Sequence, residues 1–177
     1  RPQPMNMYSI RPARSEEFTI IGELMVTVYS SLPGFPTPAE QPSYYNLLRN
    51  VGLLTEKPEV SLLVATTPSD EIAGTVVYVG DIQHYGSGGI ATREYNSAGF
   101  RLLAVTDAAR GKGVGKLLTQ ACIDKARQQG RSQLILHTTL AMQTAWKMYE
   151  RLGFSRSEDL DFMQGDLGVY GFRMRFT

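Results

Sequence analysis

The run Arg110-Gly111-Lys112-Gly113-Val114-Gly115 carries the most specific chemistry in the chain. Glycines at alternate positions leave main-chain N–H groups unshielded by Cβ atoms and admit dihedrals closed to other residues. The apolar, strand-like segment Phe100 to Val105 precedes the run, and an amphipathic helical segment follows it. The amides therefore gather at a helix start, which carries about half a positive charge and up to four unpartnered donors, and so makes a seat for a phosphate or pyrophosphate. Two common phosphate loops are excluded. A Walker loop needs Gly, four residues and Gly-Lys-Ser/Thr, whereas Gly115-Lys116 is followed by Leu117 and preceded five residues earlier by Arg110. A dinucleotide fingerprint needs G-x-G-x-x-G, and its last position falls on Lys116 or Leu118.

The pattern that fits is Gln/Arg-x-x-Gly-x-Gly/Ala at a strand-to-helix junction, with Arg110, Gly113 and Gly115 in the three fixed places. In this the chain resembles the pyrophosphate loop of the GNAT superfamily of N-acetyltransferases. Downstream, Ala145 to Phe154 resembles that family's helix ending in Tyr-Glu-x-x-Gly-Phe, and Tyr8-Ser9-Ile10-Arg11-Pro12-Ala13 resembles its opening strand.

The resemblance implies acetyl-CoA as co-substrate, no metal, and an acceptor that is a primary amine of a small molecule or peptide attacking the thioester directly. It implies that the main chain of Leu103, Ala104 and Val105 holds the pantetheine arm, and that Arg110, Gly111, Lys112, Gly113, Val114, Gly115 and Lys116 surround the diphosphate. Gln143 stands where the family often has a pantetheine-binding Asn. Tyr149 matches the family's general acid; by spacing alone it reads as a core aromatic on a helix face. Many members carry a glutamate base where this chain has Gly99, so a water chain or one of His137, Glu94, His84 and Asp81 is expected to replace it. A non-catalytic acyl-CoA-binding module with a protein partner, and a structural protein that keeps only the fold, are the alternatives.

The elements that must position these residues follow from periodicity. Met7 to Ile10 reads as a strand, and Ser15 to Ser30 as a helix capped by Ser15, with Phe18, Ile21, Leu24, Met25 and Val28 on one face. A second helix is expected over Ala39 to Leu54, its apolar excess suited to lining a pocket. Ser61 to Thr66 and Ile72 to Val79 flank Pro68-Ser69-Asp70-Glu71 as a hairpin. Gly80 to Ser97 is a long connection, read as a substrate lid or as disorder. Val114 to Gln129 is a helix stopped by Gly130, and Ser132 to His137 is a strand buried on both faces. Met142, Ala145, Trp146, Tyr149 and Leu152 share one face of the next helix, and Val169 to Phe176 closes the sheet. The implied architecture is mixed α/β (α+β). It has a central, mostly antiparallel sheet of about six or seven strands, helices on both faces, and a V-shaped splay between two parallel strands.

Bulk properties bound this reading. At 177 residues the chain is one domain by length, expected over 6–177, with 1–5 a flexible or processed N-terminus. Eighteen basic and 17 acidic residues give a net charge of +1, which offers no reason to expect a nucleic-acid or anionic-membrane partner. One Cys and two His residues exclude an internal disulfide and offer no metal-ligand cluster, which suits a reducing, cytoplasmic location with Cys122 in the core. A homodimer is compatible with all of this.

Overall fold

The computed structural model describes residues 7–176, so the expected N-terminal segment 1–5 lies outside the described residues. Strands β1 (Ser9–Pro12), β2 (Val60–Thr66), β3 (Ile72–Val79), β4 (Ser97–Val105), β5 (Gln133–Thr138), β6 (Ser155–Arg156), β7 (Phe162–Gln164) and β8 (Leu167–Arg175) form one sheet with the order β1-β2-β3-β4-β5-β8-β6, β7 pairing β8. Among the described residues the mostly antiparallel sheet has eight strands, the tail after Phe154 adding a short strand and a hairpin to it. All pairings are antiparallel except β4 with β5.

Helices α1 (Phe18–Ser30) and α2 (Pro42–Arg49) cover one face, α3 (Val114–Gln128) and α4 (Gln143–Leu152) the other. Alternation along β2 shows why both faces must be covered: Leu62 and Val64 join the core beneath α1 and α2, while Leu63 and Ala65 join the one beneath α3. Leu134, Ile135 and Leu136 of β5 are all buried, as a strand sandwiched between two helical layers requires. Among the described residues no helix is long and apolar enough to cross a membrane.

Several boundaries differ from the sequence reading, each for a local reason. Ser15 is not the cap of α1; a short 3₁₀ turn, Ser15–Glu17, comes first, and the Glu17 carboxylate accepts from the Arg14 N–H at 2.8 Å. The expected helix 39–54 stops at Asn50, whose side-chain amide donates to the Asn46 carbonyl at 2.9 Å, and continues as 3₁₀ turns over Val51–Glu56. The connection 80–97 is a packed wall, not a disordered segment. It contains two 3₁₀ turns and buries Ile82, Tyr85 and Ala91 almost completely.

The start of α3 is seated by its first residue. Val114 is 1% exposed, and a Cβ placed on Gly74 of β3 would stand 2.7 Å from its Cγ1, so the absent side chain lets the helix start touch the sheet. Leu118 and Cys122 continue the buried stripe, and burial pushes the Cys122 thiol far above its ordinary range, leaving it an inert core residue. Leu118→Ala is expected to cost about 2–5 kcal/mol of unfolding free energy, measured by urea denaturation; a loss below about 1 kcal/mol would show that α3 is held by something other than this stripe.

Candidate functional site

Strands β4 and β5 run together for only three residue pairs, Ser97 with Gln133, Ala98 with Leu134 and Gly99 with Ile135. Beyond them β5 stays with β8 to Thr138, and β4 stays with β3 to Val105. The strands part because β4 carries a bulge. Its register with β3 shifts between Thr75 and Val77, and Leu102 adopts φ +60°, a left-handed conformation that strains a branched residue. The bulge also resets which face each side chain serves. Ala98 and Phe100 join the core beneath α3 and α4, yet Leu102 and Ala104 join the opposite one, with Leu103 and Val105 turned back toward α3.

The gap opens into a cavity of about 940 Å³, near the upper end of the ~300–1,000 Å³ usual for ligand sites. One end is the glycine loop. Gly111 and Gly113 have φ of +76° and +83°, and a Cβ on either would meet nothing within 4 Å, so the loop is a backbone cradle open to the cavity. The first bond into α3 runs from the Leu117 N–H to the Gly113 carbonyl at 3.0 Å. Among the described residues, the N–H groups of Gly111 to Lys116 meet no acceptor in hydrogen-bond geometry. Arg110, Gly111, Gly113, Val114, Gly115 and Lys116 line the cavity and Lys112 does not; the Arg110 guanidinium pairs with Asp107 at 3.3 Å.

The β4 edge forms the floor. The Thr106 N–H bonds the Ala73 carbonyl at 2.9 Å; since facing alternates along a strand, Ala104 also turns its amide and carbonyl to β3, and Leu103 and Val105 turn theirs to the gap. The Tyr29 hydroxyl confirms the phase by donating to the Leu103 carbonyl at 2.8 Å. Of the three main-chain positions expected there, two are presented. Gln143 sits at the first turn of α4, across the gap from β4, its amide donating to the Leu140 carbonyl at 3.1 Å. Thr139, the residue after β5, also lines the cavity, and its hydroxyl is buried without a partner.

Tyr149 and His137 both line the cavity. Tyr149 is 5% exposed, held edge-on by Phe100 and Phe154 at centroid distances of 5.8 and 5.9 Å. Its hydroxyl finds no protein partner among the described residues and borders the cavity. Burial, reinforced by Cys122 and Tyr85, raises its pKa well above the usual phenol range, so it stays protonated. His137 is fully engaged. Its Nε2 lies 2.8 Å from the Leu160 carbonyl, which can only accept, so Nε2 carries the proton and Nδ1 accepts from the Tyr85 hydroxyl at 3.0 Å. Burial pulls the ring below its ordinary 6.5, against the opposing pull of the Leu160 carbonyl and of Asp161.

The other candidate bases lie elsewhere. Glu94 accepts from Arg173 at 2.8 Å and from Gln133 at 3.1 Å, Asp81 caps the Gln83 N–H at 3.1 Å, and neither they nor His84 line the cavity. The space a side chain at position 99 would need is filled: a Cβ there would stand 2.7 Å from Ile82 and 2.9 Å from the Tyr85 ring. Sequence reasoning missed Tyr29, Tyr85, Arg101 and Thr139. Tyr29 was legible, being four residues beyond Met25 on the buried stripe of α1; the other three depend on how the sheet parts.

A site with a helix-start cradle, an open strand edge and a protonated buried tyrosine belongs to an acyl-transferring class of fold. Residues 25–154 match the model of the acetyltransferase (GNAT) family, and the chain belongs to that family. It is 31% identical over 103 residues to the N-alpha-acetyltransferase 30 of Schizosaccharomyces pombe, a match covering 58% of this chain and 62% of that protein, so the chain spans less than two thirds of that relative's length. A GNAT acetyltransferase from Staphylococcus aureus Mu50 shares the fold with a TM-score of 0.72 at 16% identity, covering 95% of this chain and 98% of the other. A spermidine N-acetyltransferase from Vibrio cholerae, solved with CoA and spermine, does so with a TM-score of 0.63 at 16% identity, covering 96% and 95%.

His137 also sets a pH dependence. The unfolded chain takes up a proton near pH 6.5 that the folded ring declines, so the stabilisation from His137 is complete above that value and is lost as pH falls below it. Urea unfolding of the wild type and His137→Gln between pH 5 and 8 is expected to show a stability gap that narrows on acidification. A constant gap would mean the ring protonates as readily in the fold as outside it.

Proposed function

We propose that this chain transfers the acetyl group of acetyl-CoA to a primary amine of a small molecule or peptide by direct attack on the thioester. The observation that carries the reading is the shared cavity: unpaired loop amides close one end and the unpartnered Tyr149 hydroxyl borders the middle. Family membership and the N-alpha-acetyltransferase relative support the same reaction, as does the CoA held by the Vibrio neighbour.

The residues present fit acetyl-CoA, which supplies an activated acyl group and a thiol leaving group. The amides of Gly111 to Lys116 hold the diphosphate at the positive end of α3, helped by the charges of Arg110 and Lys116. Leu103 and Val105 extend the β4 edge to the pantetheine as a further strand would, and Gln143 and Thr139 offer it polar side chains from the opposite wall. An edge N–H of β4 polarises the carbonyl oxygen as negative charge develops there. The amine nitrogen bonds to the carbonyl carbon, the carbon–sulfur bond breaks, and the Tyr149 hydroxyl gives its proton to the departing sulfur. The proton lost by the amine returns to Tyr149 through solvent, because among the described residues no carboxylate lines the cavity and both His137 nitrogens are occupied. His137 is thus a positioning residue, fixing the Tyr85 ring that replaces a side chain at position 99.

Two variants test these roles. Tyr149→Phe is expected to lower kcat by about 100-fold or more with acetyl-CoA affinity within twofold of wild type, followed by thiol release with an amine panel and by calorimetric titration. Unchanged turnover removes Tyr149 from the reaction. Gly113→Val, which puts a branched side chain at φ +83°, is expected to weaken acetyl-CoA binding by about tenfold, roughly 1.4 kcal/mol, and full affinity would remove the loop from the binding surface.

A further inference from the structure

The half of the cavity away from the glycine loop has a charge pattern the reaction does not require. Its lining includes Tyr29, Phe35, Tyr44, Arg101 and Phe162, and among the described residues not one aspartate or glutamate lines the cavity. Arg101 is half-buried, unlike the exposed Arg49, Arg93, Arg127, Arg151 and Arg175, which among the described residues also lack an acid. Six other arginines, Arg11, Arg14, Arg110, Arg131, Arg156 and Arg173, pair with carboxylates within 4.0 Å, and Arg101 does not among the described residues. It spends one N–H on the Tyr85 carbonyl at 3.0 Å, leaving most of its five donors unused.

Its neighbours add donors rather than an acceptor. The point where a side chain on Gly86 would begin lies 3.1 Å from an Arg101 nitrogen and 3.3 Å from the Lys57 ammonium, so two cations share the space beside that glycine. The next residue, Ser87, lines the cavity, and its buried hydroxyl has no partner. A half-buried guanidinium without an acid and, one residue beyond Gly86, a buried hydroxyl without a partner both belong to the cavity lining, and a bound anion would complete them.

Around these donors the wall is apolar and stiff. Tyr29, Phe35 and Tyr44 form a triangle of rings at centroid distances of 5.5, 6.2 and 5.7 Å, with the Tyr29 hydroxyl tied to β4 and Tyr44 buried enough to lift its phenol to about 12. Such a wall suits an aromatic or branched aliphatic body.

Resting on the acetyltransferase reading, we propose that the acceptor is an amine that also bears a carboxylate and an apolar side chain, a hydrophobic amino acid, with Arg101 and Ser87 gripping the carboxylate and the Tyr29-Phe35-Tyr44 triangle holding the body. A polycationic acceptor such as the spermine of the Vibrio neighbour meets a cavity of the wrong sign. Arg101 is a specificity residue in this scheme, because it binds the end of the acceptor that does not react.

The test compares matched acceptors that differ only in the carboxylate. Acetylation of L-phenylalanine, L-leucine, L-methionine and L-tryptophan is measured beside their amides, 2-phenylethylamine and spermidine. At least one free acid is expected to exceed its own amide in kcat/KM by about 10- to 100-fold, the scale of a charged hydrogen-bonded contact. That ratio is expected to fall toward one in Arg101→Gln, to survive in part in Arg101→Lys, and to shrink a few-fold in Ser87→Ala, which removes only the hydroxyl. Amides or spermidine used as well as every free acid, or a ratio unmoved in Arg101→Gln and Ser87→Ala, would overturn the proposal. Calorimetric titration of the CoA-loaded protein with N-acetyl-L-phenylalanine, N-acetyl-L-leucine and their amides separates this failure from that of the reaction itself. Acid-over-amide binding without turnover keeps the carboxylate site and sinks the acetyltransferase reading, whereas turnover with no such preference sinks the carboxylate site alone.

Discussion

The structure depends on one local strain. Leu102 is held in a left-handed conformation inside a strand, and that single residue moves β4 out of phase, swaps the faces its side chains serve, and directs the strand away from β5. A regular β4 would have continued its pairing beyond Gly99 and sealed the sheet. The conformation is unfavourable for a leucine by about 1–3 kcal/mol, yet its side chain is 7% exposed, so burial on the α1 face holds the residue in place. Cavity, strand edge and tyrosine access all descend from that offset.

Parting two strands leaves main-chain groups facing one another without partners, a state a buried segment does not tolerate. Tyrosines from the α1 side address part of it. Tyr29 reaches in from α1 to the Leu103 carbonyl, while the Tyr85 hydroxyl, which binds His137 across the gap, stands 3.5 Å from the Phe100 carbonyl. The remaining edge groups, with the loop amides, stay available, and this leftover polarity is what a long, flexible, partly peptide-like molecule can satisfy. The interior is thus finished from one side only, and incompleteness on the other side is the binding property.

Much of this was legible in the residues. Alternating glycines between an apolar strand and an amphipathic helix located the cradle, because the requirement for positive φ at Gly111 and Gly113 restricts what can stand there. The continuous apolar run of β5 announced a central strand. The cavity's other half was not legible, because it is assembled from residues distant in sequence whose meeting is decided by the bulge. Arg101 sits in a run that reads as plain strand, and only the shift in alternation just after it leaves it and Leu102 on the same side. Glu94 looked available in a long connection, but Arg173, 79 residues on, claims it. His137 drew attention as a strand-end histidine, and its two hydrogen bonds belong to residues 52 and 23 positions away, beyond what local pattern conveys.

Gly99 and Tyr85 together imply a constraint on how such a protein diversifies. The aromatic ring occupies, from outside the strand, the volume that a longer residue at that position would take from within, so the two arrangements exclude each other sterically. A lineage passing between them must change both places at once or cross a poorly packed intermediate. The stretch 80–97 is therefore coupled to the catalytic strand by volume, and its variation among descendants should track a single backbone position rather than drift freely.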